Sequence, residues 1–205
     1  VDKWLYSLDV VAMDSVYGFD EILDNVTISY HCVQFECDIG ATQIGGGDED
    51  SIVGYPILSS KFPSCSNGII IAEKEGYQTK KMYQTVAEET DDATVLVSLY
   101  KLHSLETEVT VIQNHNGVIS ERQVDEDEMA VITIKNDAED FEKVIIYPEE
   151  ENFDKLELMV ADDLIYEVDI KLIDTAENKF TGSFVYNWTP DANAITAAAT
   201  AQFYV

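Results

Sequence analysis

Asn25-Val26-Thr27-Ile28-Ser29-Tyr30-His31-Cys32 alternates polar and apolar side chains without a break. Successive side chains of a strand point to opposite faces, so this octet reads as a strand with one face buried and the other wet. Before it, Leu5-Tyr6-Ser7-Leu8-Asp9-Val10-Val11-Ala12-Met13 reads as a first strand, followed by a turn at Tyr17-Gly18-Phe19-Asp20. After it come a short strand at residues 57–62 and a clear one at Gly68-Ile69-Ile70-Ile71-Ala72-Glu73-Lys74, which Glu75-Gly76-Tyr77 ends. Residues 81–86 and 94–100 follow. The pattern restarts at 106–112, turns at Asn114-His115-Asn116-Gly117, and continues through 129–134, 141–147, 156–160, 165–172, 180–188 and 201–205. Acidic or Asn/Gly turns separate these segments at about the 8–14-residue rhythm of a sandwich. Only Thr189-Pro190-Asp191-Ala192-Asn193-Ala194-Ile195 suggests a helical turn, with a Thr cap and Pro at its first position. The 205 residues are predicted to be all-β, as two consecutive antiparallel β-sandwich domains at 1–103 and 104–205. The two halves show no repeat in sequence.

Charge is the unusual feature of the composition. Forty acidic against twelve basic residues leave a net charge of −28, with eleven Lys and a single Arg, Arg122. Such a surface repels nucleic-acid backbones and anionic lipid, which argues against nucleic-acid partners. No run of 18 apolar residues occurs, so no membrane insertion by a helix is expected. The chain starts at Val1 and not Met, as a mature secreted chain or a fragment does, and both ends are expected to be docked on a sheet.

The three cysteines, Cys32, Cys37 and Cys65, lie in the first third. In a secreted chain one pair closes a loop of about 30 residues. Cys37–Cys65 is the first choice and Cys32–Cys65 the second, with one thiol left over. The rival reading is a zinc site of three thiolates and His31, although His31 and Cys32 point to opposite faces of a strand.

The first half also carries a resemblance. A strand ending in Asp14, a turn, Asn25-Val26-Thr27-Ile28, a Gly-containing loop, and an apolar strand closed by Glu75-Gly76-Tyr77 resemble the carboxypeptidase regulatory-like and PEGA-type family of small transthyretin-like β-sandwiches. The resemblance implies a positive φ at Gly76 and Tyr77 as a plug at the sandwich end. Cys37-Asp38-Ile39-Gly40-Ala41-Thr42, Phe62-Pro63 with Cys65 and Asn67-Gly68, and Gly182-Ser183-Phe184-Val185-Tyr186-Asn187-Trp188 resemble two-domain archaeal cell-surface proteins. The family is mostly structural or adhesive and brings no shared catalytic residues.

Among chemical motifs, no nucleophile elbow, zinc-protease, Walker or dinucleotide fingerprint occurs. His31, His103 and His115 are scattered and read as ordinary strand or turn residues. Hard cations take several oxygens from a flexible loop, which makes Ca²⁺ the candidate ion. Its candidate ligands are Asp48, Glu49 and Asp50, then Asp125 and Asp127 with Glu126 and Glu128, and the run Glu149-Glu150-Glu151. Asn25-Val26-Thr27 and Asn187-Trp188-Thr189 are glycosylation sequons. Trp4, Trp188 and the eleven Tyr could stack on sugars.

The expected function follows from the exposed sheet edges of such a fold. It is an extracellular, cell-surface structural protein and not an enzyme, without a cofactor unless Ca²⁺ binds. Its partner is a further copy of itself, in a filament, pilus-like fibre or surface layer. Strand donation by residues 1–11 or 201–205 is the expected mechanism. The alternative is a carbohydrate- or partner-binding adhesion module.

Overall fold

The computed structural model describes residues 5–33, 35–45, 54–148, 155–161, 163–190 and 200–205. The acidic stretches at 48–50 and 149–151 and most of the expected helical turn at 189–195 lie outside the described residues. The strands run β1 Leu5–Asp14, β2 Gly18–Ile22, β3 Thr27–Cys32, β4 Phe35–Ala41, β5 Gln43–Ile44, β6 Pro56–Pro63, β7 Cys65–Glu73, β8 Lys80–Val86 and β9 Ala93–Leu99. They continue as β10 Leu102–His115, β11 Val118–Gln123, β12 Glu128–Asn136, β13 Phe141–Tyr147, β14 Leu156–Met159, β15 Tyr166–Asp174, β16 Lys179–Trp188 and β17 Thr200–Tyr204. The chain divides into two compact units, Val1–Leu102 and His103–Val205.

Each unit contains two sheets. In the first, β4-β3-β7-β8 form one sheet, and β1 carries the other, pairing with β2, β6 and β9. In the second, β13-β12-β15-β16 form one sheet, and β10 carries the other, pairing with β11, β14 and β17. Apart from the two-residue β5, which extends the first unit beyond β6, the correspondence is strand for strand. In both units the first strand forms a hairpin with the second and pairs in parallel with the last. The same eight-strand topology is therefore built twice on sequences that share no repeat. The hairpins and the β3 and β12 sheets are antiparallel throughout the described residues, and the antiparallel expectation fails at β1–β9 and β10–β17, where opening and closing strands lie side by side.

The alternation found in sequence fixes which face is inside. On β1, Leu8, Val10 and Ala12 are buried, against Ile28 and Tyr30 of β3, Ile70 and Ala72 of β7, and Val95, Val97 and Leu99 of β9. In the second unit Ala130, Ile132 and Ile134 of β12, Val168 and Ile170 of β15, Leu156 and Leu158 of β14 and Phe203 of β17 are buried. Full burial of one such aliphatic side chain contributes about 1.5–3 kcal/mol. The Tyr166 hydroxyl donates to the Met159 carbonyl at 2.8 Å, so the ring links the two sheets of its unit.

Short-range chemistry closes the loops. The buried Asp14 carboxylate accepts from the backbone N–H of Val16 at 2.8 Å and of Tyr17 at 3.3 Å, capping the β1–β2 turn. The buried Thr42 hydroxyl accepts from the Val26 N–H at 3.1 Å and donates to the Leu23 carbonyl at 2.8 Å. Gly76 has φ 78°, and Tyr77 packs against the core of the first unit. Burial, aided by the Asp14 and Glu21 carboxylates, pushes the Tyr77 hydroxyl above its ordinary pKa.

Four strands escape the sequence reading. The stretch Tyr17-Gly18-Phe19-Asp20, read as a turn, is already strand β2 from Gly18; residues 35–41 form β4 and 43–44 the short β5; and 118–123 form β11, exposed along nearly its whole length. The candidate donor segments are docked within their own units: residues 5–11 belong to the central strand β1, with 1–4 outside the described residues, and 201–204 lie in β17 on β10.

Tyr30 is fully buried and lies across β7 at Gly68: a Cβ built on Gly68 would stand 1.9 Å from the Tyr30 hydroxyl oxygen. That hydroxyl donates to the Gln84 carbonyl of β8 at 2.9 Å, and Gln84 is the register partner of Gly68. Burial pushes the Tyr30 pKa up to about 12. Gly68→Ala is expected to destabilise the first unit by about 2–4 kcal/mol, since the ring must leave its site. Tyr30→Phe, which keeps the ring, should cost only about 1 kcal/mol. Urea unfolding of the variants measures both, and equal costs would show that the close approach is not the constraint.

Candidate functional site

The disulfide joins Cys32 to Cys65, with Cα atoms 6.3 Å apart and 33 residues of separation. The first choice, Cys37–Cys65, is overturned. Cys32 ends β3, which is hydrogen-bonded to β7, the strand that Cys65 begins. Cys37 stands on β4, on the far side of β3 and one strand further away. It is a half-buried free thiol. The bond also consumes two of the thiolates that a zinc site would need. His31 instead lies 3.0 Å from its cross-strand neighbour Glu36.

The acidic turn before β12 is organised by the only arginine in the chain. Arg122 meets Glu128 through both terminal nitrogens, with Nη2 to Oε1 at 2.8 Å, and lies 3.2 Å from Asp125. The Asp125 N–H donates back to Glu128 at 3.1 Å. Of Asp127, the backbone carbonyl accepts from the N–H and the hydroxyl of Thr175. The hydrogen bonds from Arg122 hold the Glu128 carboxyl below its ordinary 4.5, against the opposing pull of burial. The guanidinium thereby neutralises two of the four carboxylates of this turn, those of Asp125 and Glu128. Among the described residues no three His, Cys, Asp or Glu side chains converge on a common metal position.

The sequons differ in setting. Asn25 is exposed in the turn before β3, at φ 50°, with its amide donating to Asp24 at 3.2 Å. Asn187 is exposed on β16, opposite Glu167.

Sheet edges are the remaining feature. An edge strand offers unpaired N–H and C=O groups, and charged side chains normally discourage a second chain from adding to it. The β3 and β12 sheets have four edge strands, β4, β8, β13 and β16. Three carry two charges each: Glu36 and Asp38 on β4, Lys80 and Lys81 at the start of β8, and Glu142 and Lys143 near the start of β13. On β16 only the first residue, Lys179, is charged; the next nine, 180–188, are Phe-Thr-Gly-Ser-Phe-Val-Tyr-Asn-Trp. None of its ten residues is buried. Gly182, Phe184, Tyr186 and Trp188 pair with the buried Leu172, Ile170, Val168 and Tyr166 and so lie on the core side. Trp188 is held there by Tyr166 and Phe203, at ring distances of 6.1 and 5.4 Å. Phe184 overhangs, 52% exposed, beside Tyr186 at 5.3 Å. On the other face Val185 is 58% exposed. The sequence reading noticed 182–188 only as part of a resemblance. The sequence alone does not single it out, since uncharged runs as long occur at 62–72 and 109–120; its place on a sheet edge distinguishes it.

Two stability effects follow. Cys32→Ala or Cys65→Ala should cost the first unit about 3–4 kcal/mol, the amount loop closure of this length implies, whereas Cys37→Ala should cost about 1 kcal/mol or less. Thermal melts with and without reductant check this: reductant should lower the wild-type melting temperature and leave the Cys32→Ala variant unmoved. Glu128→Gln should cost the second unit about 1–3 kcal/mol at pH 7. Because the folded carboxyl titrates below 4.5, that contribution is complete above this pH and is lost as pH falls through the folded value. Urea unfolding at pH 7 and pH 3.5 should show the gap to wild type closing in acid; a gap independent of pH would refute the ion pair as its source.

No protein-family model matches this chain, and no curated protein matches it. Solved structures of low identity do align with it. A Streptococcal ancillary pilin aligns over 94% of this chain and 61% of its own, at 11% identity and a TM-score of 0.37, so this chain spans about three fifths of that pilin's length. The shaft pilin spaA from Lactobacillus rhamnosus GG aligns over 98% of this chain and 96% of its own, at 9% identity and a TM-score of 0.34. A candidate adhesin from Bacteroides ovatus aligns over 98% and 88%, at 8% identity and a TM-score of 0.36. These are likenesses of all-β architecture, at identities too low to carry a function across.

Proposed function

We propose that this chain is an extracellular structural protein, a subunit that assembles with further copies of itself at a cell surface into a filament, pilus-like fibre or layer. The observation that carries this reading is the open edge at β16: a ten-residue strand, unpaired on its outer side among the described residues and uncharged over 180–188. Main-chain groups there are available for sheet extension by another chain, and no like-charge barrier guards them. The Cys32–Cys65 bond suits an oxidising, extracellular setting.

The net charge of −28 sets the condition for assembly. Each approach of two copies opposes like charges, and this opposition is screened within about 10 Å at 0.1 M salt and about 3 Å at 1 M. Association should therefore strengthen about tenfold or more between 10 mM and 500 mM NaCl, and strengthen also with millimolar CaCl₂. Sedimentation velocity and electron microscopy across these conditions, with EDTA at low salt as the baseline, provide the test. A monodisperse monomer under every condition would overturn the proposal.

A further inference from the structure

We infer that the outer edge of β16 pairs antiparallel with β16 of a second copy, about a two-fold axis, so that the two β13-β12-β15-β16 sheets become one eight-stranded sheet. This rests on the self-assembly reading above and names the surface and the partner strand that realise it.

The two units supply an internal comparison. β8 and β16 occupy the same place in the same topology, as the last strand of the sheet and the neighbour of β7 or β15. On β8 the edge opens with Lys80-Lys81, the usual device against strand addition. On β16 no charge follows Lys179. A register shift near Leu172 and Ile173 distorts the Phe180 end, but residues 182–188 pair without interruption with 166–172. That leaves seven residues of regular edge, about 23 Å at the rise of a strand. Of the other uncharged edges, β17 is shorter, at five residues, and β9 matches the seven regular residues of β16, but on β9 the core-side residues Val95, Val97 and Leu99 are fully packed. On β16 the core-side Phe184 stands half out.

Charge argues that the occupant is a second copy. Approach through most of the surface brings carboxylates of two −28 molecules together, and a strand that is neutral over nine residues adds no like-charge repulsion of its own when it meets itself. The sequence is also self-complementary across a two-fold. Centred on Phe184, an antiparallel pairing sets Phe184 against its own copy and Tyr186 against Gly182. Aromatic pairs across strands are favourable. An aromatic ring laid over a glycine on the adjacent strand is already used in the first unit, where Tyr30 covers Gly68. A two-fold contact is closed, so the pair formed this way is the building block and any longer polymer adds a second contact elsewhere.

The test uses substitutions that change net charge equally. Val185→Lys and Ser183→Lys each place a cation on the exposed outer face of β16, and Tyr83→Lys places one on β8, at a residue 82% exposed. All three lower the overall repulsion by one charge, so a merely global effect would strengthen association in all three. The inference predicts that either β16 variant weakens dimerisation at least tenfold in sedimentation equilibrium at 500 mM NaCl, while Tyr83→Lys leaves it unchanged or stronger. Far-ultraviolet circular dichroism and melting temperature confirm that each variant is folded. Wild type and β16 variants associating equally would overturn the β16 contact and leave the assembly proposal standing; a wild type that never associates would overturn both.

Discussion

The architecture of the first unit depends on one close approach. Tyr30 has no room for its ring unless residue 68 lacks a side chain, and with Gly68 in place the phenol crosses β7 to reach the Gln84 carbonyl of β8. One side chain thereby ties three strands of a sheet and still faces Phe62 of the opposite sheet, edge-on at 5.5 Å. Glycine inside a strand normally weakens it, for lack of a side chain to pack. Here the ring of a neighbouring strand fills that space, so the glycine becomes the condition for a fully buried aromatic. The disulfide lies at the same end of the sheet, joining Cys32, two residues beyond Tyr30, to Cys65, three before Gly68. The covalent link and the aromatic contact therefore hold the same pair of strands, β3 and β7.

The second unit reaches the same topology with different chemistry. Its spanning tyrosine is Tyr166 on β15, bonded to β14 across the sandwich, and its turn before β12 is held by the Arg122 pair in place of a disulfide. What the units share is the binary pattern and not residue identity, because a sandwich requires only that alternate residues be apolar and that turns break the strands. This is why two halves without a sequence repeat fold alike. Their differences concentrate where packing does not constrain the choice, at the edges: lysines on β8, and none on β16 beyond its first residue. Differences of that kind bear on partners more than on stability.

Much of this was legible in sequence. The strands with one buried face, such as 27–32, 65–73 and 141–147, announce themselves by alternation. β11 does not, because exposure on both faces leaves no period to detect; β4 does alternate, half-buried Phe35, Cys37 and Ile39 with exposed Glu36 and Asp38, but Asp38-Ile39-Gly40 has the composition of a turn and masks it. The disulfide partner was misjudged through β4 as well. Without knowing that 35–41 is an edge strand, nothing in the spacing tells Cys37 from Cys32. The parallel pairings β1–β9 and β10–β17 were also hidden, since strand order is a long-range property and neighbouring segments reveal only their own faces. The acidic candidates divide in the same manner: the sequence shows a run of carboxylates at 125–128, but not that Arg122, on the neighbouring hairpin strand, reaches back to neutralise two of them.

The candidate site illustrates how a surface can be read from what selection for solubility leaves undone. A chain with 40 acidic and 12 basic residues has charge to spare for every edge, and on β4, β8 and β13 it uses some. An edge left neutral over nine residues, with Phe184 and Val185 more than half exposed, would be an aggregation hazard in a protein that works alone. The same edge is an advantage where association is the function, because repulsion across most of the surface opposes other modes of contact. In that arrangement acidity and the neutral strand are complementary parts of one device: the first keeps copies apart at random orientations, and the second permits approach along a single line.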